Sequence, residues 1–222
     1  MDKTSTVTIG YWKIRGLISP CRYMLEYLGV DYNDVQYEQG DAPEFSRDCW
    51  LSVKPTLDLD FPNLPYFVHG DLRITESQAM MRYIANTFGP ADFSGKDNAE
   101  KAKLDMLLGT IADIKSAATN HCYGSGDRSA VKQIGLERME PISKYLGDKK
   151  FLAGDYVTFV DFFLFEQIEL FVFATEGEVL AKFPNLAAYH KTITSLPKFA
   201  EYYKSDKFMV RPFNNKIAKI NN

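Results

Sequence analysis

Strand-forming sequence runs out in this chain near residue 90, and that change of rhythm limits the fold more than any other feature. Before it, short β-rich and helical pieces alternate. Val7–Trp12 is rich in strand formers, and Pro20 suits the first turn of the helix that follows. That helix places Tyr23, Met24, Tyr27 and Leu28 on one side and stops at Gly29. Tyr32–Tyr37 reads as a second strand, and residues 40–43 lead into a short helix containing Trp50. Residues 63–68 read as a strand with Pro65 near its beginning, 69–71 as a turn and 72–74 as the next strand. Residues 75–77 then open a helical run that ends near Phe88. The order β-α-β-α-β-β-α makes a small mixed sheet with helices packed on it.

After residue 96 the period becomes helical. Leu104, Leu107, Ile111, Ile114 and Ala118 recur at alternating three- and four-residue steps, one face of a long helix. Further helices are predicted over 129–146, over 159–174, and beyond Pro184 and Pro197. Thr158 and Asp161 form a capping box with the shorter acid, just before an apolar run of phenylalanines. The turn-rich segment 89–95 separates the two rhythms. The reading is an α+β domain over 1–88, a linker over 89–95 and an all-α domain over 96–222.

A chain of 222 residues can bury a substantial core as one large or two small domains. Its net charge of -3 gives no electrostatic case for nucleic acid or an acidic membrane. Residues 1–5 are polar with no apolar signal region behind them, and no apolar run reaches membrane-spanning length. Cys21, Cys49 and Cys122 are far apart and fit a reducing compartment, with the cytosol as the default. All three read as small core residues, with Cys122 also placed beside Tyr123. His69, His121 and His190 are equally scattered, so no metal site is expected.

One local feature points to a ligand. Proline cannot donate to a sheet ladder, so Pro65 at a strand start marks an edge, a bulge or a cis turn. A cis bond there would turn the Leu64 backbone outward toward a peptide-like ligand, and the helix opening at Ser77 would offer free N–H groups to a carboxylate. From these residues alone, an edge proline before a hairpin and an ordinary serine cap is the simpler reading.

Longer blocks carry a family resemblance. The run 10–17, GYWKIRGL, followed by MLEY at 24–27, resembles the opening of cytosolic glutathione S-transferases. LDFPNLPY at 59–66 and ITES at 74–77 fit the same family, and the loop from 40–43 to Trp50 and Lys54 is similar to that of its mu class. FLAG at 151–154, TFVDF at 158–162, FPNL at 183–186 and RPF at 211–213 extend the likeness over nearly the whole chain. The resemblance implies a thioredoxin-like N-terminal domain, an all-helical C-terminal domain carrying the electrophile pocket, and a cytoplasmic homodimer. Tyr11 matches the catalytic tyrosine, and Tyr123 a second one that assists addition. Trp12, Leu17, Trp50, Lys54, Asn63, Leu64, Pro65, Glu76 and Ser77 match positions that hold glutathione. Pro65 matches the family's cis-proline, and Asp113 an acid that reaches the ligand of the neighbouring subunit. Phe61 matches an aromatic key for the partner subunit, and Arg82 sits where the dimer interface is expected.

The implied activity is conjugation of the glutathione thiolate to small hydrophobic electrophiles, with glutathione as co-substrate and no metal. A thiol of pKa near 8.5 is mostly protonated at neutral pH, so a phenol O–H aimed at the sulfur favours the anion. Rival readings are a non-enzymatic ligand carrier on the same fold, and a specialised glutathione-dependent isomerase or peroxidase. Ser19 abuts Pro20 and Cys21 falls inside the helix, which disfavours a serine or cysteine nucleophile. The chain departs from the mu pattern in having Glu76 in place of a glutamine, and in the more polar tail 214–218. An ionised carboxylate only accepts, so Glu76 is expected to serve the substrate ammonium.

Overall fold

A computed structural model describes residues 5–221; the polar start at 1–4 lies outside them. Strand β1 (Val7–Trp12) runs parallel to β2 (Tyr32–Tyr37), and helix α1 (Ser19–Leu28) makes the crossover that parallel strands require. Gly29, at φ 68°, caps α1 by donating its N–H to the Glu26 carbonyl. The short α2 (Asp48–Leu51) and a 3-10 turn (Lys54–Thr56) lead to β3 (Tyr66–His69), β4 (Leu72–Thr75) and α3 (Ser77–Phe88). Both later pairings are antiparallel, and the sheet order is β2-β1-β3-β4. The Leu64–Pro65 peptide is cis, as are Ala42–Pro43 and Arg211–Pro212. The ladder of β3 begins only at Tyr66, after the proline that lacks a donor, so the strand expected from residue 63 starts later.

The rest is helical. The long helix α4 (Asn98–Tyr123) buries Leu104, Leu107, Ile111, Ile114 and Ala118, the face read from the period. It is followed by α5 (Arg128–Leu146), α6 (Phe159–Ala174), α7 (Glu178–Lys182), α8 (Pro184–Thr194) and α9 (Pro197–Lys204). The five-residue α7 carries too short a pattern to stand out in the sequence. Helix α6 is apolar around most of its circumference, and such a helix belongs in the middle of a core. It packs on α4, α5, α7 and α8, and also on α1 and α3 of the sheet layer. One buried cluster runs through the sheet layer and the bundle. Among the described residues no helix is long and apolar enough to cross a membrane.

The start of α6 is fixed by the capping box. The buried Asp161 carboxylate accepts from the Thr158 N–H (2.7 Å), the Thr158 hydroxyl (2.8 Å), the Leu152 N–H (2.9 Å) and the Tyr189 hydroxyl (2.8 Å). Asp161→Ala strands these donors in the core. The expected loss is about 2–4 kcal/mol, read as a lower urea midpoint with unchanged slope. A loss below about 0.5 kcal/mol would show that the donors find other partners.

Candidate active site

Sheet register assembles the site. Gly10 pairs with Tyr66 and Tyr66 with Thr75, so the residues just beyond them meet at one end of the sheet. Those residues are Tyr11 on β1, Leu64 and Pro65 before β3, and Glu76 and Ser77 after β4. The Thr75 hydroxyl donates to the Phe61 carbonyl at 3.0 Å and ties the connecting loop to the same end.

Tyr11 is buried, and its hydroxyl lies against the loop that joins β1 to α1. Gly16 stands in that loop at φ +49°, and a Cβ there would come within 2.5 Å of the Tyr11 ring and 2.9 Å of its hydroxyl. Only glycine combines that backbone with that approach. Burial pushes the Tyr11 phenol up to about 12; the Leu17 amide opposes the rise, Tyr123 adds to it, and Arg22 opposes it. Tyr11 is therefore a neutral O–H donor throughout the physiological range. Tyr123, at the end of α4, accepts the Asn215 N–H at 3.0 Å, and burial raises its pKa as well. That bond uses a lone pair and leaves the Tyr123 proton available to a ligand.

The C-terminal tail closes over this end. The Arg15 and Gly16 N–H groups donate to the Pro212 and Phe213 carbonyls, at 2.9 and 3.0 Å. The Lys216 N–H donates to Gln39 at 3.1 Å, and its ammonium pairs with Asp41 at 2.6 Å. Trp12, Ile14, Tyr37, Gln39 and Asn215 line a cleft of about 50 Å³ beneath it. Leu17 is partly exposed beside the loop.

The other expected residues occupy varied settings. Trp50 is buried, stacked on Tyr66 at 6.2 Å and edge-on to Tyr37 at 5.4 Å, so within this chain it packs the floor of the sheet end. Lys54 is half-buried at the start of the 3-10 turn, and Asn63 is exposed. Glu76 is exposed and held at φ 67°, the strained left-handed region, immediately before α3. The first N–H groups of α3, from Ser77 onward, have no intrahelical acceptor. Asp113 is exposed on α4 and makes no hydrogen bond or ion pair among the described residues. Phe61 is 80% exposed. Arg82 pairs with Asp105 of its own chain at 2.7 Å. Cys21 and Cys122 are buried as expected, whereas Cys49 is exposed. It sits on the outer side of α2, a helix too short for its period to assign faces. Among the described residues no group of His, Cys, Asp and Glu could hold a metal ion.

Arg15, to which the sequence assigns no role, is densely bonded behind the site. It is fully buried, donates to Glu166, Glu169 and Tyr23, and lies over the rings of Phe208 and Phe213. An arginine in a run otherwise set for a loop was the available signal.

A four-stranded mixed sheet with a tyrosine at the end of its first strand, followed by a helical bundle, defines a thioredoxin-like domain joined to an all-helical one. The family models agree in order: the glutathione S-transferase N-terminal domain matches residues 7–86 and the C-terminal domain residues 113–206. The chain belongs to the glutathione S-transferase family. It is 37% identical to glutathione S-transferase Mu 3 of Macaca fuscata fuscata, over 100% of this chain and 98% of that protein. It is equally 37% identical to glutathione S-transferase Mu 1 of Oryctolagus cuniculus, over 93% of this chain and 94% of that one. Among solved structures, the glutathione S-transferase Blo t 8 matches with a TM-score of 0.82 and 28% identity, covering 97% of this chain and 100% of that chain. The Pi-class glutathione S-transferase of Onchocerca volvulus shares the fold, with a TM-score of 0.81 at 23% identity, covering 96% of this chain and 99% of that chain.

Proposed function

We propose that this protein is a tyrosine-type, mu-like glutathione transferase that conjugates the glutathione thiolate to small hydrophobic electrophiles. The observation that carries this reading is Tyr11, a buried phenol held protonated on β1, one residue beyond the Gly10–Tyr66 pairing. Its O–H donates to the glutathione sulfur, which favours the thiolate over the thiol. The thiolate attacks an electrophilic carbon, and the Tyr123 O–H donates to the negative charge that develops on the electrophile.

The tripeptide's own groups set the remaining roles. The N–H groups at the start of α3, beginning with Ser77, take the γ-glutamyl carboxylate, and Glu76 takes the neighbouring ammonium. Leu64, next to Pro65, pairs its backbone with the cysteinyl unit as a one-residue strand addition, with Asn63 beside it. Lys54 and the Trp50 indole serve the glycine carboxylate. Trp12 and Leu17 flank the sulfur, and the tail around Asn215 walls the electrophile pocket. The protein acts as a cytoplasmic homodimer in which Phe61 inserts into the partner subunit, Arg82 borders the interface and Asp113 reaches the partner's ligand. An aromatic ring left 80% exposed on a loop fits a residue covered by a second chain. The reading keeps the domains at 1–88 and 96–222, joined by a linker over 89–95.

Two measurements on the purified protein test this reading. Sedimentation is expected to give a mass twice the 25.3 kDa of the chain. A panel of electrophiles, including a chlorodinitrobenzene, is expected to be conjugated broadly with glutathione. Glutathione binding without any conjugation would favour a carrier, and high activity on one substrate alone a specialised enzyme.

A further inference from the structure

Lys115 lies on α4 and takes no part in the roles above. Its Nζ donates to the Gly16 carbonyl at 3.2 Å. The other side of that same peptide unit is the Leu17 N–H, in the loop stretch where a Cβ on Gly16 would come within 2.9 Å of the Tyr11 hydroxyl, and the Leu17 amide opposes the rise of the Tyr11 pKa. A planar trans peptide points its C=O and N–H in opposite directions. A cation therefore sits at the oxygen end of a dipole whose hydrogen end meets the active-site phenol.

The surroundings of Lys115 hold little else that is charged. From α6 it faces Glu166 and, at 5.9 Å, the Phe163 ring; from α1 it faces Cys21, whose thiol burial pushes up to about 12 and keeps neutral. From the loop it faces the Gly16 carbonyl. Burial lowers the Lys115 pKa to about 8, against the opposing pull of Glu166. The ammonium still predominates at pH 7. A lysine that holds its proton less tightly in the folded state opposes folding below its folded pKa. The opposition is absent once pH exceeds the unfolded value near 10.4. Keeping the charge here costs stability at pH 7, and the bond to the Gly16 carbonyl offsets part of that cost.

We propose that Lys115 is a positioning residue for thiolate formation: its ammonium polarises the Gly16–Leu17 peptide, and the Leu17 N–H in turn strengthens Tyr11 as a donor to the sulfur. A hydrogen bond to a peptide carbonyl polarises the N–H on the other side of the same unit, and the effect is larger in low-dielectric surroundings. The proposal rests on the role assigned to Tyr11 above.

The test is titration of bound glutathione by thiolate ultraviolet absorbance in the wild type, Lys115→Met, Lys115→Arg, Tyr11→Phe and Tyr11→Phe/Lys115→Met. In K115M the bound thiol pKa is expected to rise by about 0.5–1 unit, with kcat/KM at pH 6.5 falling about 3–10-fold. Glutathione affinity should stay within about 2-fold, and the melting temperature should not fall. K115R keeps the charge and is expected to restore the wild-type thiol pKa. Added to Y11F, K115M should shift the thiol no further, because the path runs through Tyr11. A wild-type thiol pKa in K115M, with Y11F still shifted, overturns this proposal alone. An unshifted thiol in Y11F overturns the reading of Tyr11 itself. A drop in kcat/KM at every pH, with a lower melting temperature and no change of thiol pKa, makes Lys115 a packing residue and overturns the proposal too.

Discussion

Tyr11→Phe is expected to cut kcat/KM about 50-fold at pH 6.5 while leaving glutathione binding near that of the wild type. The size follows from the thiol. A charge-assisted hydrogen bond plus local dipoles can depress a thiol pKa of about 8.5 by roughly two units, or about 2.7 kcal/mol. Without the phenol O–H the bound thiol returns toward its free value, and only about 1% is ionised at pH 6.5. Affinity is spared because the proposed contacts hold the tripeptide mainly by its two ends. The deficit must shrink as pH approaches the free-thiol value, where both enzymes carry thiolate. A less depressed thiolate is also the stronger nucleophile, so the variant can overtake the wild type at high pH. Tyr11 itself, pushed up to about 12 by burial, does not titrate in this range, so the rising limb reports the thiol alone. A pH–rate profile settles the matter. A deficit of constant size at every pH would show that Tyr11 orients glutathione rather than ionises it, and undiminished turnover would remove it from the reaction.

The fold was legible because its signals are local. The β-rich run at Val7–Trp12, the glycine stop at Gly29 and the apolar face of α4 each sit within one element, and each appears where the sequence puts it. The Thr158–Asp161 pair was readable for the same reason, since both partners lie within one turn. Boundaries were read less well where a single residue decides them. Pro65 held back the start of β3, and the faces of the short helix at Cys49 and Trp50 could not be assigned by period.

What escaped the sequence are contacts between distant segments. Arg15 and Glu166 are 151 positions apart, and Lys216 and Asp41 are 175 apart. Nothing in the local pattern around Lys115 distinguishes a solvated lysine on α4 from one whose Nζ holds the Gly16 carbonyl, 99 positions away. The tail looked like a polar departure from the mu pattern. Its backbone N–H groups instead reach Tyr123 and Gln39, while Asn214 bonds the Ile220 carbonyl. The backbone bonds need no polar side chain; of the tail's polarity, the Asn214 amide is seen to tie the chain end down.

The second large effect is expected at Arg15. Its guanidinium joins the loop beside Tyr11 to α6, reaching Glu166 at 2.6 Å and Glu169 at 3.2 Å, and donating to the Tyr23 hydroxyl at 2.8 Å. Burial alone would lower the arginine pKa, yet Glu166, Tyr23 and Glu169 together hold it above its ordinary value. Burial would likewise raise Glu169, but its bond to His190 and the charge of Arg15 hold it lower than usual. The contribution from Glu169 is therefore present above its unfolded pKa and is lost as pH falls through the folded one. Arg15→Met removes the cation from the buried Glu166 carboxylate and from Glu169, which keeps His190, and the expected loss is about 3–5 kcal/mol. Adding Glu166→Gln to that variant should recover part of the loss, because the orphaned charge rather than the missing contact dominates the cost. The double-mutant cycle in denaturant separates the two effects. If Arg15→Met costs below about 1 kcal/mol, the carboxylates have become protonated or hydrated, and the loop next to Tyr11 is held by its backbone bonds to Pro212 and Phe213 instead. If the loss is large and the double variant is no better than the single, then the aromatic packing around the guanidinium, against Phe208 and Phe213, is what anchors the loop.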